Sequence, residues 1–463
     1  MERKNAWAAY AGDDGKVEAF AKAYCDFIDN GKTERECVAY GEKLAKAHGF
    51  EDLNAVVRSG RKLNAGARVY VNWMGKSFML FVLGEKPLEE GMNILGAHID
   101  SPRIDVKQNP LYEDTDLAYL DTHYYGGIKK YQWVAIPLAL HGVIVRKTGE
   151  KVIINIGEDE NDPVFCISDL LVHLAQEQMT KNAKEVVEGE ALNLIVGGRP
   201  LEGEEKDAVK ANVLKLLADK YGVEEEDFLS AELEIVPAGK ARDMGFDRSM
   251  ILAYGHDDRV CAYPSMMAVL DYEGTPEYTL CCIVTDKEEI GSVGATGMAS
   301  HYLENTVAEL YACTADYCEL AVRRCLRNSR MLSSDVSAGY DPNFASAFEK
   351  KNSAFLGRGI CFNKFTGSRG KSGSNDANPE FMASLRKIMD DAGVAFQTAE
   401  LGRVDLGGGG TIAYLCAKYG MNVIDSGIPV LSMHAPYEVI SKVDLYEGYR
   451  GYCAFLQGAK PVE

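Results

Sequence analysis

From Ser249 onward, short apolar runs alternate with amphipathic stretches, and this rhythm limits the folds open to the chain more than any other feature. Strands are predicted at 250–254, 278–286, 331–335, 355–362, 394–401, 423–425 and 430–434. Helices are predicted between them at 259–270, 293–302, 306–328, 379–392 and 411–419, with a last one after Lys442. Strands joined through helices form α/β sheets, so the prediction is a mixed sheet covered by helices on both faces. Upstream, 16–50 reads as two amphipathic helices broken at Gly31, and 68–74, 77–83 and 93–99 read as strands. The texture changes from Asn109 to about Gly245, with tyrosine-rich and glycine-containing strands at 131–146 and 152–156, a helical segment at 167–178 and an acidic helix at 204–221. The predicted layout is a larger α/β unit made of 1–108 and 245–463, interrupted by a smaller β-rich unit at 109–244.

Charge removes two classes of partner. Fifty Lys and Arg stand against 69 Asp and Glu, a net charge of −19, which repels nucleic-acid phosphates and anionic membrane surfaces. The longest apolar passage, 133–145, is too short for a bilayer and contains Pro137, His141 and Gly142. No apolar stretch of signal-peptide length follows the charged start MERKNAWAAYAGDDGK, and the 12 cysteines form no CxxC pair. These features together predict a cytoplasmic protein with reduced thiols.

Open α/β sheets bind ligands outside the carboxyl ends of their strands. Five predicted strands end there on possible metal donors: His98 with Asp100, Asp257 with Asp258, Glu288 with Glu289, Asp335, and His434. Singly, each has a structural reading, as a hydrogen-bonded histidine or an aspartate cap. The adjacent glutamates are harder to absorb, because their repulsion is a cost unless a cation offsets it. Five such coincidences favour metal. Two divalent ions about 3.5–4 Å apart polarise a carbonyl and generate a nucleophile from water. Imidazole and carboxylate donors without thiolate suit zinc, with manganese or cobalt as the other candidates, and one carboxylate outside the ligand set must carry the proton. The glycine run Gly407–Gly410 lacks the strand, Lys and Ser/Thr spacing of a phosphate loop and reads as a tight loop entering a helix.

Four strings, HIDSP, DKEEIGS, SSDVSAGYDPN and SMHAPYEV, resemble HTDSP, DHEEVGS, SADMAHAxHPN and xMHSxRE of the aspartyl aminopeptidase family of di-zinc metallopeptidases. The resemblance runs in order from about residue 90 to the C-terminus. It implies that His98 and Asp335 bind one zinc, that Asp257 bridges, that Glu289 and His434 bind the second, and that Glu288 is the general base. Asp100 would orient the His98 imidazole. Gly408, Gly409 and Thr411 match a segment lining the substrate site, and Lys364 matches a lysine that meets an acidic substrate side chain. The resemblance also implies a catalytic α/β domain interrupted by a dimerisation domain, with subunits assembled into a tetrahedral dodecamer.

Two departures bear on substrate choice. A tyrosine after the family's lysine is replaced by Ser372 or a neighbour, and a histidine of the dimerisation domain becomes Asp169 in ISDLLVHL. An acid there disfavours an acidic N-terminal side chain by like-charge repulsion. The expected activity is two-metal hydrolysis of the N-terminal residue of peptides by a homo-oligomer. Two other readings stay open: a related di-zinc deacylase or carboxypeptidase, which a basic clamp near the site would favour, and a non-catalytic assembly or cargo-binding protein, against which Glu288 and all five ligand positions argue.

Overall fold

The computed structural model describes residues 4–462 and divides into two units. One comprises the chain up to Asp100, Ala241–Met433 and the part from Glu438 onward; the other comprises Ser101–Lys240 with His434–Tyr437.

The first unit is built on a nine-stranded sheet. Its strands are β1 (Glu51–Asp52), β2 (Arg68–Trp73), β3 (Ser77–Val82), β4 (Met92–His98), β5 (Thr279–Thr285), β6 (Arg330–Ser333), β7 (Ile360–Asn363), β8 (Phe396–Thr398) and β9 (Asn422–Gly427). The spatial order is β1-β2-β3-β5-β4-β6-β9-β7-β8. The central strands β5, β4, β6 and β9 are parallel, while β3 and β7 join them antiparallel, which makes the sheet mixed as the alternation of elements predicts. Every residue of β3 to β6 is buried, as strands covered on both faces require. Leu95, Cys282, Leu332 and Ile424 pack on one face with helices Gly15–Asn30, Glu34–Ala47, His256–Leu270, Pro379–Asp391 and Lys442–Gly458. Ile94, Cys281, Met331 and Val423, one residue out of step, pack on the other with Tyr302–Thr314, Glu319–Asn328 and Ala413–Ala417. A separate five-stranded sheet runs in the order Arg242–Met244, Met250–Ala253, Glu438–Ser441, Pro429–Leu431, Ser337–Ala338.

The second unit carries a six-stranded antiparallel sheet, ordered Lys151–Ile156, Leu138–Val145, Ala231–Pro237, Arg103–Asp114, Leu117–Tyr125, Leu194–Gly197, with helix Ala208–Tyr221 packed on it. It starts at Ser101, ahead of the change of texture at Asn109, because the strand from Arg103 begins directly after Asp100.

Predicted elements that differ include the following four. The segment 167–178 is not a helix: residues 172–177 form turns and Gln178–Thr180 a single 3-10 turn. Asp169 there accepts from Leu170 N and Gln178 Nε2, local bonds that compete with helical ones. His173 is exposed in a turn. No helix forms over 293–301, where Gly294 has φ +128° and Ala299 N bonds back to Ser292 O. The single helix predicted over 306–328 is two, parted after Thr314, whose hydroxyl bonds back to Tyr311 O. The strand predicted over 355–362 shrinks to β7, because Gly357 and Gly359 turn with positive φ and donate their N–H groups to the Asp444 carboxylate. Among the described residues, no helix is long and apolar enough to cross a membrane.

Candidate metal centre

His98 is the last residue of β4, and its ring is 2 % exposed. Nε2 lies 3.1 Å from Asp257 Oδ1 and 4.0 Å from Asp335 Oδ1. Nδ1 faces Asp100, at 3.0 Å from its carbonyl and 3.3 Å from Oδ1. The buried Asp100 carboxylate also accepts the backbone N–H groups of Glu288 and Glu289, each at 3.1 Å. One side chain therefore orients the imidazole and fixes the turn that carries both glutamates.

That turn is tight for a backbone reason. Lys287 is left-handed at φ +68°, Glu288–Ile290 makes one 3-10 turn, and Gly291 reverses it at φ +92°. The glutamates are thus presented just past the carboxyl end of β5, whose Thr285 pairs with His98. Asp335 follows β6 by two residues. Asp257 and Asp258 differ from expectation in their support: they follow Met250–Ala253, a strand of the five-stranded sheet that pairs antiparallel with both neighbours, not a parallel strand. Left-handed Gly255 turns the chain into helix His256–Leu270, and Asp257 N donates to buried Glu438 at 3.0 Å.

Donor atoms of His98, Asp257 and Glu289, of His98, Glu288 and Asp335, and of Asp257, Asp258 and Asp335 lie within 4.8 Å of one another in each set. One imidazole thus shares these groups with four carboxylates, and Asp258 adjoins two of them. Burial pushes the Asp258 carboxyl well above its ordinary range, the neighbouring Asp257 adds to this, and His98 opposes it. Burial does the same to Asp335, with His98 opposing and Glu288, Asp258 and Asp257 adding. Burial pulls His98 down, but hydrogen bonds and charges from Asp100 and Asp257 outweigh it and raise its pKa well above the ordinary value. Asp258 Oδ1 is buried without a hydrogen-bond partner. The excess of buried negative charge and the oxygen-rich donor set with one imidazole fit divalent cations.

The remaining candidates are not among these donor groups. His434 belongs to the second unit, with Nδ1 2.9 Å from Gly127 O. Asp169 is exposed, also in the second unit. Lys364 follows β7 and pairs with Asp376 at 2.7 Å. Gly409 O accepts from Gly367 N at 2.9 Å, and Gly408 has no room for a side chain, since a Cβ would stand 2.0 Å from Gly367 O. Thr411 is buried and donates to Asp425 Oδ1 at 2.5 Å. Sequence reading missed Asp425, the one acid inside the apolar strand β9. Burial raises its carboxyl to about 7, the Thr411 hydrogen bond opposes this, and the charge of Glu288 adds to it. His256 is held by Tyr24 OH at 2.7 Å and lies 3.3 Å from Ile251 O; burial lowers its pKa to about 3, so the ring is neutral.

Comparison with known proteins gives a consistent result. A family described as aminopeptidase I zinc metalloprotease (M18) matches residues 27–456. A probable M18 family aminopeptidase 1 of Clostridium acetobutylicum is 58 % identical over 459 residues, 98 % of each chain. The crystal structure of an M18 aminopeptidase from Thermotoga maritima superposes with a TM-score of 0.94 at 43 % identity, covering 99 % of this chain and 100 % of the other. A yeast mApe1 dodecamer, 21 % identical, shares the fold with a TM-score of 0.76 over 95 % of this chain and 97 % of its own.

Proposed function

The chain belongs to the M18 family of zinc metallo-aminopeptidases, and on that premise we propose that it removes N-terminal residues from peptides at a two-metal site with Glu288 as general base. His98, Asp257 and Asp335 would hold one ion. Asp257 and Glu289 would hold the other, with His434 as the further donor read from the sequence. His98, Asp257 and Asp335 each take part in two of the compact donor groups. When bound, zinc, or manganese or cobalt in its place, would polarise the scissile carbonyl and acidify water.

The chain's own residues do the rest. Glu288 takes the proton of the attacking water and returns it to the leaving amine. Asp100, by accepting Glu288 N–H, keeps that carboxylate in place. The surplus of carboxylates attracts the free N-terminal ammonium of a peptide, which favours an aminopeptidase over a deacylase or carboxypeptidase. Gly409 and Thr411 would line the substrate site. Lys364 would meet an acidic N-terminal side chain, and Asp169 would oppose it.

The protein would work in the cytoplasm as a homo-oligomer built from dimers, a dodecamer like the yeast relative. The 12 free cysteines support the first statement, and the exposed apolar run Leu170, Leu171, Val172 and Leu174 in the second unit supports the second.

The observation that carries the reading is a buried imidazole surrounded by carboxylates from separate segments of the chain. Elemental analysis combined with hydrolysis of Asp-, Glu-, Leu-, Ala- and Lys-p-nitroanilide before and after chelation tests it. About two metals per chain and chelator-sensitive cleavage are expected. One metal per chain at full activity would overturn the two-metal site.

A further inference from the structure

The segment after β7 contains a carboxylate shared by two lysines. Asp376 Oδ1 receives Lys364 Nζ at 2.7 Å and Oδ2 receives Lys371 Nζ at 2.8 Å. Hydrogen bonds to the two ammonium groups hold the Asp376 carboxyl below its ordinary range. The hairpin around them is well tied: Lys371 Nζ sits 3.9 Å from the centre of the Phe365 ring, Thr366 N donates to Ser374 Oγ, and Ser368 and Ser372 exchange backbone hydrogen bonds. Ala377 N closes the segment onto Lys364 O at 2.8 Å. Gly367 N donates to Gly409 O, so this hairpin is joined to the glycine loop assigned to the substrate site. Two cations converging on the two oxygens of one carboxylate form the arrangement an anionic ligand requires. Here a residue of the chain already fills it.

We propose that Asp376 is a specificity-determining residue, an internal carboxylate that occupies the Lys364–Lys371 pair and that the acidic N-terminal side chain of a substrate must displace. The proposal rests on the substrate-binding role given to Lys364 above. Lys364, Lys371 and Asp376 are 43–45 % exposed, and ion pairs between such groups are weak enough to exchange. A neutral side chain demands no exchange. An acidic one must break both pairs and then remains close to the displaced aspartate. Asp376 thus shifts selection toward neutral N-terminal residues while leaving the two lysines poised as an anion site.

The test is the ratio of kcat/KM for Asp-p-nitroanilide to that for Leu-p-nitroanilide, measured on the metal-loaded full chain. Asp376→Asn is expected to raise this ratio about five- to tenfold, tenfold corresponding to about 1.4 kcal/mol, mainly through a lower KM for the acidic substrate. Asp376→Glu keeps the charge and is expected to keep the parental ratio. Adding Lys364→Met to Asp376→Asn is expected to abolish the gain. An unchanged ratio in Asp376→Asn, with a lowered ratio in Lys364→Met alone, overturns the proposal and leaves the Lys364 reading standing. A ratio that neither substitution moves overturns both. An equal rise in Asp376→Asn and Asp376→Glu assigns the effect to hairpin packing and also overturns the proposal.

Discussion

Asp100 touches three groups at once, the His98 ring and the N–H groups of Glu288 and Glu289. Replacing it would free the proposed ligand His98 and the proposed base Glu288 together. Glu288 is the residue whose role is cleanest to isolate, because an amide has the same shape as its carboxylate but takes no proton. Glu288→Gln is expected to retain metal while kcat falls at least about 10²-fold; near-parental turnover at full metal content would remove Glu288 from the base role. His98, Glu288, Glu289 and Asp335 were legible in sequence because each ends or closely follows a buried apolar strand of the nine-stranded sheet, and Asp257 because it follows an apolar strand of the five-stranded one. Asp425 was not, since a carboxylate inside a strand looks like an interruption until Thr411 is seen beside it. Asp376 was hidden for a different reason: its two partners lie on a loop, and loop pairings leave no periodicity to read.

The elements that were legible are those with a long apolar period, such as β4, β5 and the helix Lys442–Gly458. Those that failed have local competitors to regular structure. The segment 167–178 carries apolar residues at helical spacing, yet Asp169 captures the chain's own N–H group and leaves Leu171 54 % and Val172 74 % exposed. Close packing between elements also sets the centre. At the end of β9, a Cβ on Gly427 would stand 1.7 Å from the carbonyl oxygen of Asp335. Gly427→Ala should therefore displace the proposed ligand Asp335 without touching any donor atom. Its expected signature is a loss of stability of about 1–3 kcal/mol together with weaker metal retention, read by thermal unfolding and metal titration. Parental metal affinity in a destabilised variant would show that Asp335 adjusts independently of β9.

For the whole molecule, the cysteines offer a test of how tightly the core is closed. Burial raises the thiols of Cys37, Cys325, Cys361 and Cys416 to about 12, so almost none is thiolate at neutral pH. Cys318 is exposed. A chromogenic disulfide reagent is expected to modify Cys318 first in the folded protein and to reach the buried thiols only on denaturation; rapid reaction of Cys361 or Cys416 would mean that the sheet opens. The division of the chain has a consequence in time as well. β4 and β5 are hydrogen-bonded neighbours, but the whole of Ser101–Lys240 is synthesised between them. From His98 to Thr279 a ribosome adds 181 residues (279 − 98), which takes about 10–35 s at about 5–20 residues per second. Through that interval the nascent β4 lacks β5, the neighbour that pairs with it from Met92 to His98, and Glu289 and Asp335 are still to come, a window in which a chaperone has more to protect than at any later stage.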